Sequence, residues 1–317
     1  MTPEDDPCQS EFGRDVLAGL SRPQKAIPSR WLYDLRGSEL FEQITELEEY
    51  YPTRTETAIF HDQSAEIAGA LGEGVVLVEY GAGALVKTRI LLDALPAPAG
   101  YVPIDISGRF LREAAGLLAR DYPGLHVQPI VGDFTSKLDL SAAPGREDQR
   151  VGFFPGSTIG NLDNDQIRAF FRTARATLGP DARFILGLDL KKDPGILIPA
   201  YDDSSGVTAA FNLNLLARIN RELGADFDLE NFRHEARWNE ADSRVEMHIV
   251  ARRPCVVTLC GQRFSFGQAE TIHTEISRKF ELPVLDTLLV GTGWRREETW
   301  QDPRGHFAVT LLGPELA

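Results

Sequence analysis

The chain has 317 residues, 43% of them hydrophobic and 25% charged, and carries a formal net charge of −14. That length can bury a sizeable core in one large or two moderate domains, while so acidic a chain repels duplex nucleic acid unless a local basic patch overrides the field. No Lys/Arg run provides one, no apolar stretch reaches the ~18 residues of a membrane span, and the acidic start MTPEDDPCQSEF lacks the apolar segment of a secretion signal.

Residues 1–13 read as disordered or loosely attached, and Asp15 to Leu20 as a short helix. Ser38 is a candidate N-cap for a helix with Leu40, Phe41, Ile44 and Leu47 inward. A second helix is expected from Thr55 to Leu71, stopped by Gly72 and Gly74. Val75–Tyr80 then reads as a buried strand, Gly81-Ala82-Gly83 as a tight turn, and Ala84–Leu95 as a helix. Three more strand–helix units and a fifth strand follow: Tyr101–Ile106 with a helix from Ser107, His126–Val131, Val151–Pro155 with a helix over Asp163–Leu178, and Arg183–Leu190. This alternation predicts an α/β fold with a parallel sheet covered on both faces. After Lys192 the rhythm changes to a proline-bounded loop over Asp193–Pro199, a helix near Val207–Leu223, and antiparallel strands over 234–239 and 244–260. Another short strand holds Phe264 and Phe266. A last helix over Ser277–Val290 and a hairpin, Trp294–Trp300 with His306–Leu312, close the chain. Residues 193–276 read as an insertion joined by the N-terminal helices. The expected domains are 1–56, the N-terminal part of a substrate-binding domain; 57–192, a nucleotide-type sheet domain; 193–276, the substrate-binding insertion; and 277–317, the completion of the sheet domain.

The Gly81-Ala82-Gly83 turn lies at the carboxyl end of a strand, where such sheets bind ligands. A dinucleotide fingerprint needs a third glycine where this chain has Val86, which weakens an NAD reading. Acids stand at the strand ends: Glu79 at the first, Asp105 at the second and Asp133, followed by Phe134, just past the third. A carboxylate at the second strand end can accept both hydroxyls of a ribose, and Asp-Phe after the third can bind and cover an adenine. Any one acid is more often a cap or surface group. Together beside the turn they favour S-adenosylmethionine (SAM) and a Rossmann-like class I methyltransferase sheet. The segment after the fourth strand, FFPGSTIGN, lacks the Asn/Asp-Pro-Pro-aromatic pattern of enzymes that methylate nucleobase amines. Asn161 there can both donate and accept, so it can hold an amine or a carboxylate, or simply form a turn or helix cap. Glu275 and Ser277 alternate, so in an extended segment both face one side and can read the two nitrogens of an imidazole; a cap at the last helix is the plainer role for Ser277. Tyr33, Tyr50, Tyr51 and Tyr201 sit at element boundaries. The six histidines show no H-E-x-x-H or comparable spacing, so no metal is expected. Cys8, Cys255 and Cys260 form no C-x-x-C and are expected as reduced thiols in the cytoplasm.

The segments ELFEQITELEEYYPTRTE, YGAGALVKTRILLDAL, PGSTIGNLDN, YDDSSGVTAAFNLNLLARINRELGADFD and IHTEISRKF closely resemble the histidine-specific SAM-dependent methyltransferase family, with a match from about Ile27 to Leu312. The resemblance implies three methyl transfers to the α-amine of L-histidine, giving hercynine, the first step of ergothioneine biosynthesis, with S-adenosyl-L-homocysteine as coproduct. Family motifs carried onto this chain place Tyr51, Asn161 and Tyr201 at the amino and carboxylate groups, Glu275 and Ser277 at the imidazole, Met247 in the pocket lining and Tyr33 beside the amine. Tyr33 and Asn161 are the residues expected at the reacting nitrogen. Gly81, Lys87, Asp133 and Phe134 match cofactor positions, and Asp105 is assigned to the ribose from its strand end. The expected partners are L-histidine and its mono- and dimethylated intermediates, with no nucleic acid, membrane or metal, and the chain is expected to be a monomer. Some fungal relatives methylate a tryptophan-derived amine, which leaves another amino acid or such an amine as the alternative substrate.

Overall fold

A computed structural model describes residues 6–83, 85–106 and 108–315. Ala84 and Ser107, read above as helix starts, and residues 1–5 lie outside the described residues. In chain order the elements are α1 (Glu11–Leu20), β1 (Lys25–Ala26), α2 (Leu35–Thr45), α3 (Tyr51–Leu71), β2 (Val76–Tyr80), α4 (Val86–Ala94), β3 (Gly100–Asp105), α5 (Gly108–Asp121), β4 (Ile130–Val131), β5 (Arg150–Phe154), α6 (Asn164–Leu178), β6 (Arg183–Asp189), α7 (Pro194–Tyr201), α8 (Val207–Leu223), β7 (Phe232–Asn239), β8 (Arg244–Ala251), β9 (Cys255–Leu259), β10 (Gln262–Phe266), β11 (Thr271–Arg278), α9 (Leu282–Leu289), β12 (Trp294–Gln301) and β13 (Phe307–Pro314). The chain divides into two compact units, one of Met1–Tyr51 with Lys192–Arg278, the other of Pro52–Lys191 with Lys279–Ala317. The junctions therefore fall after residues 51, 191 and 278, against expectations of 56, 192 and 276.

The second unit holds a seven-stranded sheet in the order β12-β13-β6-β5-β2-β3-β4. The five strands from β2 to β6 run parallel, and β13 is antiparallel to both β6 and β12. Strand β2 is buried along its whole length. Its alternation sends Val76, Val78 and Tyr80 into one layer with Phe154, Phe170, Phe184 and Trp294, and Leu77 into the other with Phe60, Leu91 and Phe153. Two apolar faces on one strand are what a central parallel strand requires. The expected third strand is much shorter than 126–131: only Ile130–Val131 joins the ladder, with a single bridge from Val127 to Tyr101. Pro129, between them, has no N–H to donate, and the strand lies at the sheet edge where that is tolerated. On α5, Leu111 and Leu118 are buried and Leu117 is exposed.

The first unit holds a four-stranded sheet, β1-β11-β8-β7, and the hairpin β9–β10. Helix α8 packs on β7 and β8, and α2 packs on α8. Asp34, not Ser38, caps α2, accepting from the Gly37 N–H at 2.7 Å. The stretch expected as a loop after Asp193 is the short helix α7, capped by the Asp193 carboxylate. Residues 6–13, expected to be loose, form a turn and the start of α1; Phe12, Val16 and Leu20 enter the core. Cys8 is joined to Cys260 by a disulfide, which overturns the expectation of reduced thiols for that pair; Cys255 is free. Ser277 lies inside β11, so the last helix begins at Leu282 rather than Ser277.

One irregularity in this sheet decides which side chains face the core. The β8–β11 register pairs His273 with His248, then shifts and pairs Glu275 with Met247 and Ser277 with Val245. Cross-strand partners share a face. The bulge at Thr274 thus leaves His273 on the outer face and turns Glu275 and Ser277 onto the face of Met247 and Val245, which are core residues.

Candidate active site

The substrate-side candidates in the first unit converge. The Tyr33 hydroxyl donates to Glu275 Oε1 at 3.4 Å, and the Tyr201 hydroxyl and Ser277 Oγ are 2.8 Å apart. Tyr33 packs edge-on against Phe41 and Phe211, Phe41 against Tyr50, and Tyr50 against Tyr201. Burial, reinforced by the neighbouring Glu275 carboxylate, pushes the Tyr33 phenol well above its ordinary range, so Tyr33 is a donor at neutral pH rather than a base. Met247 is buried directly opposite Glu275. Tyr51 is also buried, with its hydroxyl accepting from Lys192 Nζ at 2.8 Å and the same ammonium 4.5 Å from its ring centre. Nothing in the sequence marked Lys192 as a partner of Tyr51.

Behind these groups lies a buried polar relay absent from the sequence reading. Asn212 is fully buried; it donates to His234 Nδ1 at 2.8 Å and to the His248 carbonyl at 3.2 Å, and accepts from Thr274 Oγ1 at 2.7 Å. An Nδ1 that accepts leaves the proton on Nε2, which donates to the Tyr201 carbonyl at 2.7 Å. Burial lowers the His234 pKa, in keeping with a neutral ring. The bulge residue Thr274 is thereby tied to the backbone of Tyr201.

In the second unit, the Gly81 and Ala82 N–H groups both donate to the Ile104 carbonyl, which sets the glycine turn beside Asp105 at the end of β3. Gly81 has φ +73°, and a Cβ there would lie 3.9 Å from ring carbons of Phe134 and Phe154. Phe134 packs on Phe154 and Phe170. The structure thus brings Gly81, Asp105 and Phe134 to one sheet edge, where Val86, Ile106 and Val131 are exposed apolar side chains. A nucleoside with a flat aromatic base and a vicinal diol fits this combination of an open turn, a carboxylate and apolar surface. Asp133 is exposed and accepts from the N–H and hydroxyl of Thr135, a local turn. Glu79, read as a strand-end acid for the ligand, is instead buried under the turn, accepting from Thr88 and Tyr101; burial pushes its pKa up to about 7 despite those bonds. Lys87 pairs at 2.5 Å with the buried carboxylate of Glu56, which also accepts from the Gly156 N–H. Asn161 ends the turn Thr158–Asn161 after β5, and the cap of α6 is Asp163, so the helix-cap role is excluded for Asn161.

Among the described residues Glu246, His248 and His273 also gather, with one ligand atom from each within 4.8 Å of the others. The E-M-H alternation places two of them on one face of β8, and His273 joins them from the neighbouring strand β11, which is remote in sequence.

A family model described as histidine-specific, SAM-dependent methyltransferase matches residues 12–314. The chain is 43% identical over 311 residues to a histidine N-alpha-methyltransferase of Mycolicibacterium smegmatis, covering 96% of each chain. It is 42% identical to one of Mycobacterium tuberculosis, covering 94% of this chain and 93% of that one. In fold it is similar to a SAM-dependent methyltransferase from Clostridium acetobutylicum, with a TM-score of 0.50 at 13% identity, covering 88% of this chain and 99% of that one. With the sheet order, the turn and the paired Glu275 and Ser277 in place, the chain belongs to the histidine-specific, SAM-dependent methyltransferase family.

Proposed function

We propose that this protein methylates the α-amino nitrogen of L-histidine three times with SAM, through the mono- and dimethylated intermediates, to hercynine, the first step of ergothioneine biosynthesis. The observation that carries the reading is the pair Glu275 and Ser277, turned to the Met247 face of the sheet and each in contact with a tyrosine hydroxyl. A carboxylate beside a hydroxyl can accept from one imidazole N–H and meet the second nitrogen. Tyr51 and Tyr201 would hold the carboxylate group, and Asn161 the amino group.

Gly81, Asp105, Asp133, Phe134 and Lys87 would hold SAM, whose sulfonium provides an activated methyl group. The rest of the catalysis is positioning. The amine must present its lone pair, and a protonated Tyr33 beside Glu275 orients it without acting as a strong base. Solvent takes the proton. Among the described residues no helix is long and apolar enough to cross a membrane; we place the reaction in the cytoplasm, carried out by a monomer without a catalytic metal.

Mass spectrometry of purified protein with SAM and a panel of amino acids including L-histidine and L-tryptophan tests the assignment. Methylated histidine at all three stages is expected; SAM binding without any methylated histidine refutes it. Replacing Glu275 with Ala should raise the KM for histidine by about 10- to 100-fold, the worth of a hydrogen bond to a charged group, with the KM for SAM unchanged. An unchanged histidine KM removes the imidazole role.

A further inference from the structure

The outer face of the four-stranded sheet carries a cluster that methyl transfer does not use. His248 and His273 stand directly opposite on neighbouring strands, their rings stacked at 4.9 Å and 22°. Glu246 lies two residues before His248, on the same face of β8, and its Oε2 is 3.2 Å from His248 Nε2. We propose that Glu246, His248 and His273 form a binding site for one divalent transition-metal ion of the zinc class, which clamps β8 to β11 just before the bulge.

The chemistry of the donors supports this. Two imidazoles and a carboxylate are a zinc ligand set, and bonds of 2.0–2.2 Å at tetrahedral angles put ligand atoms about 3.3–3.5 Å apart. The Glu246–His248 edge of 3.2 Å is already close to that spacing. All three ligand atoms lie within 4.8 Å of one another, so closure requires an approach of roughly 1.5 Å and a rotation of one of the two stacked rings to turn its in-plane lone pair to the ion. His248 is only 4% exposed, and its Nδ1 is buried with no hydrogen-bond partner. Its Nε2, the nitrogen that faces Glu246, is the metal-binding atom, and coordination there leaves the ring proton on Nδ1. His273 directs Nε2 to the Glu275 carbonyl at 3.1 Å, which fixes its tautomer and leaves the Nδ1 lone pair for coordination.

The surrounding charge does not oppose a cation as strongly as the arginine count suggests. Arg244 and Asn239 both hold Glu246 Oε1, leaving Oε2 toward His248. Arg244 also pairs with Asp242, and Arg237 pairs with Glu235, as does Arg233. Burial and the neighbouring His273 hold His248 down at about 4, while its hydrogen bonds hold Glu246 down at about 2.

The test uses tag-free full-length protein stripped with a chelator and titrated with Zn2+ against a chromophoric competitor, and with Co2+ as a visible probe. One equivalent of Zn2+ should bind, Co2+ should develop the intense visible bands of a low-coordinate nitrogen–oxygen site, and Zn2+ should raise the melting temperature. H248Q and H273Q should each weaken Zn2+ binding by at least about tenfold and abolish the melting shift. Far-UV circular dichroism and SAM affinity report whether each variant is folded. Absence of stoichiometric binding by the parent protein overturns the proposal, as does undiminished binding in either folded variant. Should a variant fail to fold, the parent's Co2+ spectrum decides: bands of a six-coordinate aquo ion alone reject the site.

Discussion

Replacing Asn212 with Leu probes whether the buried relay behind Tyr201 positions the substrate site. Leu keeps the branched skeleton of Asn with bulkier methyl groups, so no cavity opens, but three hydrogen bonds disappear: those to His234 Nδ1, the His248 carbonyl and Thr274 Oγ1. At about 1 kcal/mol each, with Thr274 keeping its bond to the Met247 carbonyl, the first unit loses about 3 kcal/mol. That corresponds to a fall in melting temperature of roughly 6–12 °C. With its Nδ1 partner gone, His234 no longer fixes the Tyr201 carbonyl, and the Tyr201–Ser277 contact loosens. A loss of about 1.4 kcal/mol there raises the histidine KM about tenfold, while the SAM KM stays constant. Melting by circular dichroism, initial rates against each substrate and a double-mutant cycle with Thr274→Val provide the readouts. The cycle should show a coupling of about 1 kcal/mol between positions 212 and 274. A melting temperature equal to the parent's, equal rises in both KM values, or strict additivity with Thr274→Val would refute the relay.

Tyr33→Phe removes the hydroxyl beside Glu275 but leaves the ring packing, so it should change the ratio of mono-, di- and trimethylated histidine more than the histidine KM; mass spectrometry of a time course resolves the three. Acid should destabilise the protein through His248. Its folded pKa is about 4 and its unfolded value about 6.5, so the unfolded chain takes up the proton first. This contribution is fully present above about pH 6.5, is lost as pH falls toward 4, and amounts to at most about 3 kcal/mol; melting temperatures over that range in wild type and His248→Gln measure it. Dithiothreitol should lower the melting temperature of the parent but not of Cys8→Ser, because the Cys8–Cys260 bond spans 252 residues and closing so long a loop is worth several kcal/mol, about 2–5 in practice.

The sheet of the second unit was legible because buried parallel strands and the glycine turn leave a local signature from Val75 to Leu190. Gly81, Asp105 and Phe134 could be placed at one edge on that basis alone. Glu79 was misread because sequence position at a strand end does not say which face the side chain takes; alternation in β2 turns it inward, onto Tyr101 and Thr88. The Thr274 bulge was not legible, since simple alternation keeps His273, Glu275 and Ser277 on one side. Asn212, His234 and Thr274 come from a helix and two strands, and nothing local marks them as a unit. The disulfide was missed because a three-cysteine count says nothing of which ends of the chain meet.

The insertion of the first unit between β6 and β13 has a consequence for biogenesis. Strand β6 needs β13 as its antiparallel neighbour, but Phe307 pairs with Asp189, so the ribosome must add more than a hundred residues before that edge can close. At about 5–20 residues per second this takes on the order of 10 s. Residues Lys192–Arg278 of the first unit emerge in that interval, while β6, paired with β5 on one side, waits with its other edge open. Nascent chains stalled before Phe307 should thus be the species most prone to edge-to-edge aggregation and most dependent on chaperones.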